Sequence, residues 1–438
     1  MTAEIGILNR QGVALAADSA VTVGVAGKQK VLNSANKLFN LVKGLPVGLM
    51  VYGGGDFLGT PWDVVVNEFR KNFKEKDGYK NLEDYSESFI KALNSEKYFS
   101  KSSYERYVFN LISSIIEDVT LTTKGILSER HPNVEISPDK VLNYFNLCLI
   151  EKIRELNALE FLERFGQEDV EKIINDGINL EISKIILGGL FEFSLKEIED
   201  IIGKTQLNSI INSMVKISAL AQTKDIFFNY TGIVVAGFGN DELFPVLSEY
   251  YVEGIINGKL KYKLNTVSKI YSTHTSENKT SEIIPFAQQE MVYSVLNGID
   301  PRLENLIFSN IQHIMNRTLN LVETTFNCED CEKKSKNINL IRTEMQNELN
   351  ALMTYIYTDQ ERNYKDPIYQ MVDLLPKDEL ATMAETLVNL TSFKRKITMD
   401  AETVGGPIDV AVISKSEGFI WIKRKHYFNK DLNSNYFK

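Results

Sequence analysis

The chain has 438 residues, a formal net charge of −9, and 43% hydrophobic and 24% charged residues. These values are typical of globular proteins, and the length predicts about two or three core units. The negative charge argues against nucleic acid as a partner. No stretch approaches the ~20 apolar residues of a membrane span. The N-terminus also lacks the basic and apolar leader of a secreted protein, so we expect a cytoplasmic protein with no membrane partner.

The start of the sequence predicts a β-hairpin. Residues 3–9 and 13–17 are short apolar-rich runs joined by a turn, as in two antiparallel strands. Asp18 follows the second strand, so we expect its carboxylate near Thr2, at the start of the first. If Met1 is removed, Thr2 carries both a nucleophile and a base, because its Oγ can attack while its α-amine accepts the proton.

Two further features follow the hairpin. Lys37 stands at the start of another strand-like run, and the apolar run 47–52 leads into Gly53, Gly54 and Gly55. Consecutive glycines at a strand end let backbone N–H groups approach a ligand closely. Because strand starts and ends place them at the same edge of the hairpin, we expect Thr2, Asp18, Lys37 and Gly53 to converge in one cleft.

These segments resemble the start of a proteasome β-subunit, a family of N-terminal-nucleophile hydrolases. The shared features are an N-terminal threonine, a Gly-Val-apolar-Ala-Ala-Asp-Ser second strand, a lysine before a strand and a strand that ends in glycines. The resemblance implies that Thr2 is the nucleophile, that Asp18 and Lys37 are catalytic, and that the Gly53 N–H forms the oxyanion hole. Substrate-binding positions are implied for Ser19, Thr22 and Gly54.

Two later blocks extend the resemblance. Residues 231–258 resemble a later hairpin of the family, and residues 400–413 resemble its closing segment. A helix predicted over 376–391 precedes that segment, as one does in the family. The resemblance implies a catalytic role for Asp400, which aligns only after a one-residue insertion and has Glu402 as a rival.

The resemblance implies an α+β fold, a four-layer αββα sandwich with large α-helical insertions. The N-terminal-nucleophile core is then discontinuous, over residues 1–60, 225–299 and 366–430. Residues 61–224 have apolar residues at helical spacing, which predicts core helices over 61–75 and 204–223 plus a mainly helical insertion. Residues 300–365 are expected to form a helical hairpin.

The three cysteines do not form a disulfide framework. Cys328 and Cys331 have the spacing of a metal or redox site, but a structural zinc needs a second pair of ligands. A solvated turn between two helices is the favoured interpretation, and no metal or organic cofactor is expected.

The sequence thus predicts a proteasome-like threonine hydrolase that cleaves a peptide or other amide bond after removal of Met1. The alternative is a catalytically silent scaffold of the same fold that binds partners through its helical insertions. The intact set around Thr2 favours the hydrolase, whereas the weak match around Asp400 favours the scaffold. Assembly into a homo-oligomer is left open.

Overall fold

A computed structural model describes residues 2–23, 30–132, 134–275, 278–325, 331–398, 404–429 and 431–433. The protein is mixed α/β, and the strands within each of its sheets are antiparallel. Among the described residues, no helix combines the length and the apolar character needed to cross a membrane.

The strands lie in three groups along the chain, separated by two helical segments. In chain order, the strands are β1 (Ala3–Asn9), β2 (Gly12–Ala17), β3 (Val21–Val23), β4 (Lys30–Leu32), β5 (Leu38–Asn40), β6 (Val47–Tyr52), β7 (Asp56–Phe57), β8 (Thr60–Pro61), β9 (Thr231–Gly237), β10 (Val246–Ile256), β11 (Lys259–Lys269), β12 (Ser281–Ala287), β13 (Asp409–Ser414) and β14 (Gly418–Lys423).

Most helices lie in two long segments between the strands. In chain order, the α-helices are α1 (Trp62–Asn72), α2 (Leu82–Leu93), α3 (Lys101–Arg130), α4 (Pro138–Ala158), α5 (Gln167–Asn175), α6 (Ile178–Phe191), α7 (Leu195–Ile202), α8 (Lys204–Thr223), α9 (Glu290–Asn297), α10 (Pro301–Thr325), α11 (Cys331–Gln360), α12 (Asp366–Leu374) and α13 (Lys377–Ile397). A 3₁₀ turn covers Glu96–Tyr98, and a π-helical turn covers Glu361–Lys365.

Two five-stranded sheets form most of the β structure, and the pairs β3-β4 and β7-β8 form two small sheets. One has the order β12-β1-β2-β13-β14, and the other has the order β11-β10-β9-β6-β5. The predicted N-terminal hairpin is confirmed, because β1 pairs with β2 in a register that places Glu4 opposite Ala17. The closing strand β13 pairs with the other side of β2, so β2 lies at the centre of the first sheet.

The inner faces of the two sheets share one apolar cluster. It joins Leu8 and Leu15 of the first sheet to Met50, Val234 and Leu247 of the second. Because successive residues of a strand point to opposite faces, Ile5 and Ile7 of β1 face outward, where they pack with helices α9, α12 and α13. Helices α1 and α2 cover the outer face of the second sheet.

One part of the sequence-based fold is wrong. Residues 204–223 were expected to form a core helix that packs on the sheet. The helix α8 does form there, but it packs mainly against α3, α4, α5, α6 and α7. Helix α2, over residues 82–93, packs on β9 and β10 instead. Both helices have apolar faces, and periodicity does not reveal which partner such a face covers.

Helices α3 to α8 enclose an apolar cluster of their own. A buried ion pair ties this helical body to the second sheet. Lys261 on β11 donates to Glu253 on β10 at 2.7 Å and to the Ala221 carbonyl on α8 at 2.7 Å. The Tyr107 hydroxyl on α3 donates to the same carboxylate at 3.1 Å.

The second long helical segment is the pair α10 and α11. A side-chain hydrogen bond joins the two helices: the Gln360 amide on α11 donates to the Glu304 carboxylate on α10 at 2.9 Å. Many of their apolar side chains are exposed, among them Leu306, Ile314 and Tyr355. Cys328 lies outside the described residues, and so does the side chain of Cys331, so the interpretation of the Cys-x-x-Cys turn stays a prediction.

We expect Lys261→Ala to lower the free energy of unfolding by about 3–5 kcal/mol, because it leaves the buried Glu253 carboxylate without its cation. Lys263→Ala is the matched control on the same strand. The Lys263 side chain is 45% exposed in its pair with Asp225, and such pairs contribute about 0–1 kcal/mol. Urea denaturation measures both values, and equal losses for the two variants would contradict the role given to Lys261.

Candidate active site

Thr2 lies immediately before β1, which is an inner strand of the first sheet. The residue is buried, with 4% of its surface exposed. Its hydroxyl oxygen is also buried and has no hydrogen-bond partner among the described residues. Most buried polar atoms in proteins are hydrogen-bonded, so an unpaired hydroxyl calls for an explanation, such as a functional role.

Asp18 directly follows β2 and lies beside the start of β1, as the hairpin predicts. Its carboxylate accepts hydrogen bonds from the backbone N–H groups of Ala3 at 3.2 Å, Ala20 at 3.4 Å and Gly405 at 2.9 Å. The Lys37 ammonium is a fourth donor. Four donors from four separate parts of the chain therefore hold the Asp18 carboxylate in place.

Lys37 reaches this carboxylate from the second sheet. It directly precedes β5, and its carbonyl accepts a hydrogen bond from the Val51 N–H of β6 at 2.8 Å. The side chain is 5% exposed, and its ammonium contacts Asp18 and also Glu4, whose Oε1 lies 3.1 Å away. The lysine therefore joins the two sheets through two carboxylates.

Glu4 is the residue that the sequence analysis missed. It lies on the face of β1 that points between the sheets, the same face as Leu8. Burial raises the pKa of Glu4 to about 7, and the negative charge of Asp18 adds to this rise. The Lys37 ammonium and, to a smaller extent, the Thr2 hydroxyl lower the pKa of Glu4. The sequence does offer one signal for Glu4, namely a charged residue within a strand of mainly apolar residues.

The glycine turn after β6 lies close to these groups. Gly53 follows Val51 by two residues and has φ +84°, a conformation that favours glycine. Its N–H donates no hydrogen bond to another described residue. A Cβ on Gly55 would lie 3.3 Å from Val21, which follows Asp18 by three residues. The turn therefore borders the segment that carries the Asp18 carboxylate.

Gly54 and Ser19 are held by the surrounding backbone. The Gly54 N–H donates to the Tyr52 carbonyl at 3.2 Å, and a Cβ on Gly54 would lie 2.2 Å from the Thr231 hydroxyl. The Ser19 hydroxyl donates to the Pro407 carbonyl, so it anchors the closing segment of the chain. The substrate-binding roles of both residues stay predictions.

The side chain of Thr22 and the whole of Asp400 lie outside the described residues. The rival Glu402 lies outside them too. The closing segment nevertheless reaches the site, because the Gly405 N–H binds Asp18 and the Gly405 carbonyl accepts from the Ser19 N–H at 3.2 Å.

The described part of the chain contains no group of three or more His, Cys, Asp or Glu side chains arranged to hold a metal ion. The chain matched no protein-family model, and no curated protein sequence matched it. The interpretation of the site therefore rests on its residues and their geometry.

Glu4 makes the stability of the protein depend on pH. Its pKa rises from 4.5 to about 7 on folding, so the folded state binds more protons between these pH values and its stability falls as pH rises through them. We expect the free energy of unfolding of the wild type to fall by roughly 3 kcal/mol relative to that of Glu4→Gln between pH 4.5 and pH 8, since each pKa unit is worth about 1.36 kcal/mol. The variant lacks the carboxylate that must ionise. Denaturant titrations at several pH values measure it. A difference that does not change with pH would contradict this prediction.

Gly53 and Gly44 form a matched pair for testing the glycine turn. Both have φ +84°, but a Cβ on Gly53 would lie 2.8 Å from the Tyr230 carbonyl oxygen, whereas one on Gly44 would meet nothing within 4 Å. Both alanine variants incur the left-handed backbone cost of about 1–2 kcal/mol. We expect Gly53→Ala to lower the melting temperature further than Gly44→Ala, and equal shifts would contradict a tight turn at Gly53.

Proposed function

We propose that the chain is a threonine N-terminal-nucleophile hydrolase with the four-layer αββα sandwich of that class, acting on a peptide or other amide bond. The observation that carries the proposal is the buried Thr2 hydroxyl, which directly precedes Ala3 in the chain. The Ala3 N–H and the Lys37 ammonium both donate to the Asp18 carboxylate. The fold is supported by the apolar cluster between the two sheets and by the helices on both outer faces. A cytoplasmic location belongs to the same proposal.

In the proposed reaction, removal of Met1 frees the α-amine of Thr2. The Thr2 Oγ attacks the substrate carbonyl carbon while the α-amine accepts its proton. The Lys37 charge lowers the pKa of the neighbouring hydroxyl and amine, and Asp18 holds the ammonium in place. The Gly53 N–H stabilises the oxyanion; a donor in this position is typically worth about 2.7–4 kcal/mol. Water then hydrolyses the acyl ester on Thr2.

A second candidate function is that of a catalytically silent scaffold that binds partners through its helical segments. The observation that favours it is the 4% exposure of Thr2, because a substrate must reach the hydroxyl before it can react. The intact mass of the purified protein separates the two candidates: the hydrolase requires loss of Met1, whereas retained Met1 favours the scaffold.

Covalent labelling tests the hydrolase directly. We expect a β-lactone or epoxyketone probe to modify Thr2, and Thr2→Ala to abolish the labelling because the nucleophile is gone. Thr2→Ser should keep part of the reaction, since serine has the same hydroxyl and amine. Lys37→Ala should be nearly as damaging as Thr2→Ala, because the positive charge is lost. Mass spectrometry of the intact protein and of its N-terminal peptide measures each outcome.

Thr358→Ala is the control for this experiment. Its hydroxyl lies on the exposed surface of α11, where it donates to the Thr354 carbonyl at 2.7 Å, so labelling should be unchanged. Equal labelling rates for Thr2→Ala and the wild type would contradict the assignment of Thr2 as the nucleophile.

A further inference from the structure

Glu4 is a buried carboxylate at the candidate site that the proposed mechanism does not use. Neither of its oxygens accepts a well-aligned hydrogen bond from a described residue, although Oε1 lies 3.1 Å from the Lys37 ammonium. It is separated by one residue from Thr2, whose buried hydroxyl has no partner outside this site among the described residues and acts on the Glu4 carboxylate. The start of β1 therefore brings together a potential proton donor and a potential acceptor.

Asp18 is poorly suited to take that proton. Its oxygens already accept hydrogen bonds from the N–H groups of Ala3, Ala20 and Gly405 and from Lys37, so its acceptor positions are occupied. Glu4 has no backbone donor of this kind among the described residues. Of the two carboxylates that contact Lys37, Glu4 is the one whose oxygens keep open acceptor positions.

We propose that Glu4 is a catalytic acid–base residue of this site, which accepts the Thr2 hydroxyl proton and later returns it to the leaving nitrogen. This inference rests on the proposed function and adds a second proton acceptor beside the α-amine. The nucleophile then directly precedes β1, and its base lies on that strand.

The acylation step moves one proton and one electron pair away from the Thr2 oxygen. The Thr2 Oγ–H bond breaks, its proton binds a Glu4 oxygen, and the Oγ electron pair forms the bond to the carbonyl carbon, so the carbonyl oxygen becomes an oxyanion. When the oxyanion re-forms the double bond, the C–N bond breaks and the nitrogen takes the proton from Glu4. In deacylation, water loses its proton to Glu4, and the Thr2 oxygen then recovers one from it.

The charged groups that act on Glu4 are Lys37, which comes from the second sheet, and Asp18, which comes from β2. Its neighbour on β12 is Phe286, which carries no charge. Burial brings the pKa of Glu4 to about 7, and a base is most effective when its pKa lies near the working pH. We therefore expect the rate of Thr2 acylation to rise as Glu4 ionises.

The test compares β-lactone labelling rates at Thr2 between pH 5 and pH 9, in the full-length protein that has lost Met1. Three variants are compared with the wild type: Glu4→Gln, Glu4→Asp and the control Glu249→Gln. Glu249 is another buried carboxylate between the sheets, but its partners are Tyr52 and Asn265. Melting temperatures are measured alongside, so that loss of folding is separated from loss of reactivity.

We expect Glu4→Gln to slow labelling at least about hundredfold, as general acid–base catalysis contributes about 10²–10⁴-fold, and to remove the rise in rate near pH 7. Glu4→Asp, which keeps a carboxylate, should recover part of the rate, and Glu249→Gln should stay within about threefold of the wild type. A Glu4→Gln rate close to that of the wild type would overturn the proposal. So would a slower rate with an unchanged pH profile, which indicates a structural effect alone. If the wild type itself is not labelled at Thr2, the proposed function fails and this inference fails with it.

Discussion

The candidate site depends on the burial of one ammonium group between two sheets. Lys37 reaches from the second sheet to Asp18 and Glu4 of the first, and all three side chains are almost completely buried. Removing charges from water is costly, and the cost is offset only where the partners are close and well hydrogen-bonded. Asp18 meets that condition, but Glu4 does not. The imbalance between the two carboxylates gives the site a group that can change its protonation near neutral pH.

The same contacts explain why distant parts of the sequence must come together. Asp18 binds the N–H of Ala3 within the hairpin and that of Gly405 from the closing segment. Lys37 is placed by the hydrogen bond between its carbonyl and the Val51 N–H. The Asp18 carboxylate therefore has all of its hydrogen bonds only when the hairpin, the second sheet and the closing segment are packed together.

The sequence predicted the local elements better than their packing. The hairpin over residues 3–17 follows from two short apolar runs and a turn, and the position of Asp18 at its end follows from strand geometry alone. Residues 204–223 were expected to pack on a sheet, but the helix that they form packs mainly against other helices. The sequence does not distinguish these partners, because an apolar helix face fits another helix as well as a sheet. Glu4 is not one of the positions that match the family. Its importance comes from its burial and from Lys37, a lysine 33 positions further along the chain.

The energetics of Thr2 and Glu4 also bear on the choice between hydrolase and scaffold. A scaffold gains nothing from a buried unpaired hydroxyl and a buried carboxylate without aligned donors, since each such group costs stability. Replacing Glu4 by an apolar residue would leave Lys37 with its stronger partner, Asp18, and would remove the larger electrostatic penalty. A sequence that keeps both groups side by side retains a local cost that packing does not require. Such costs concentrate at functional sites, where reactivity needs groups that the folded structure leaves unsatisfied.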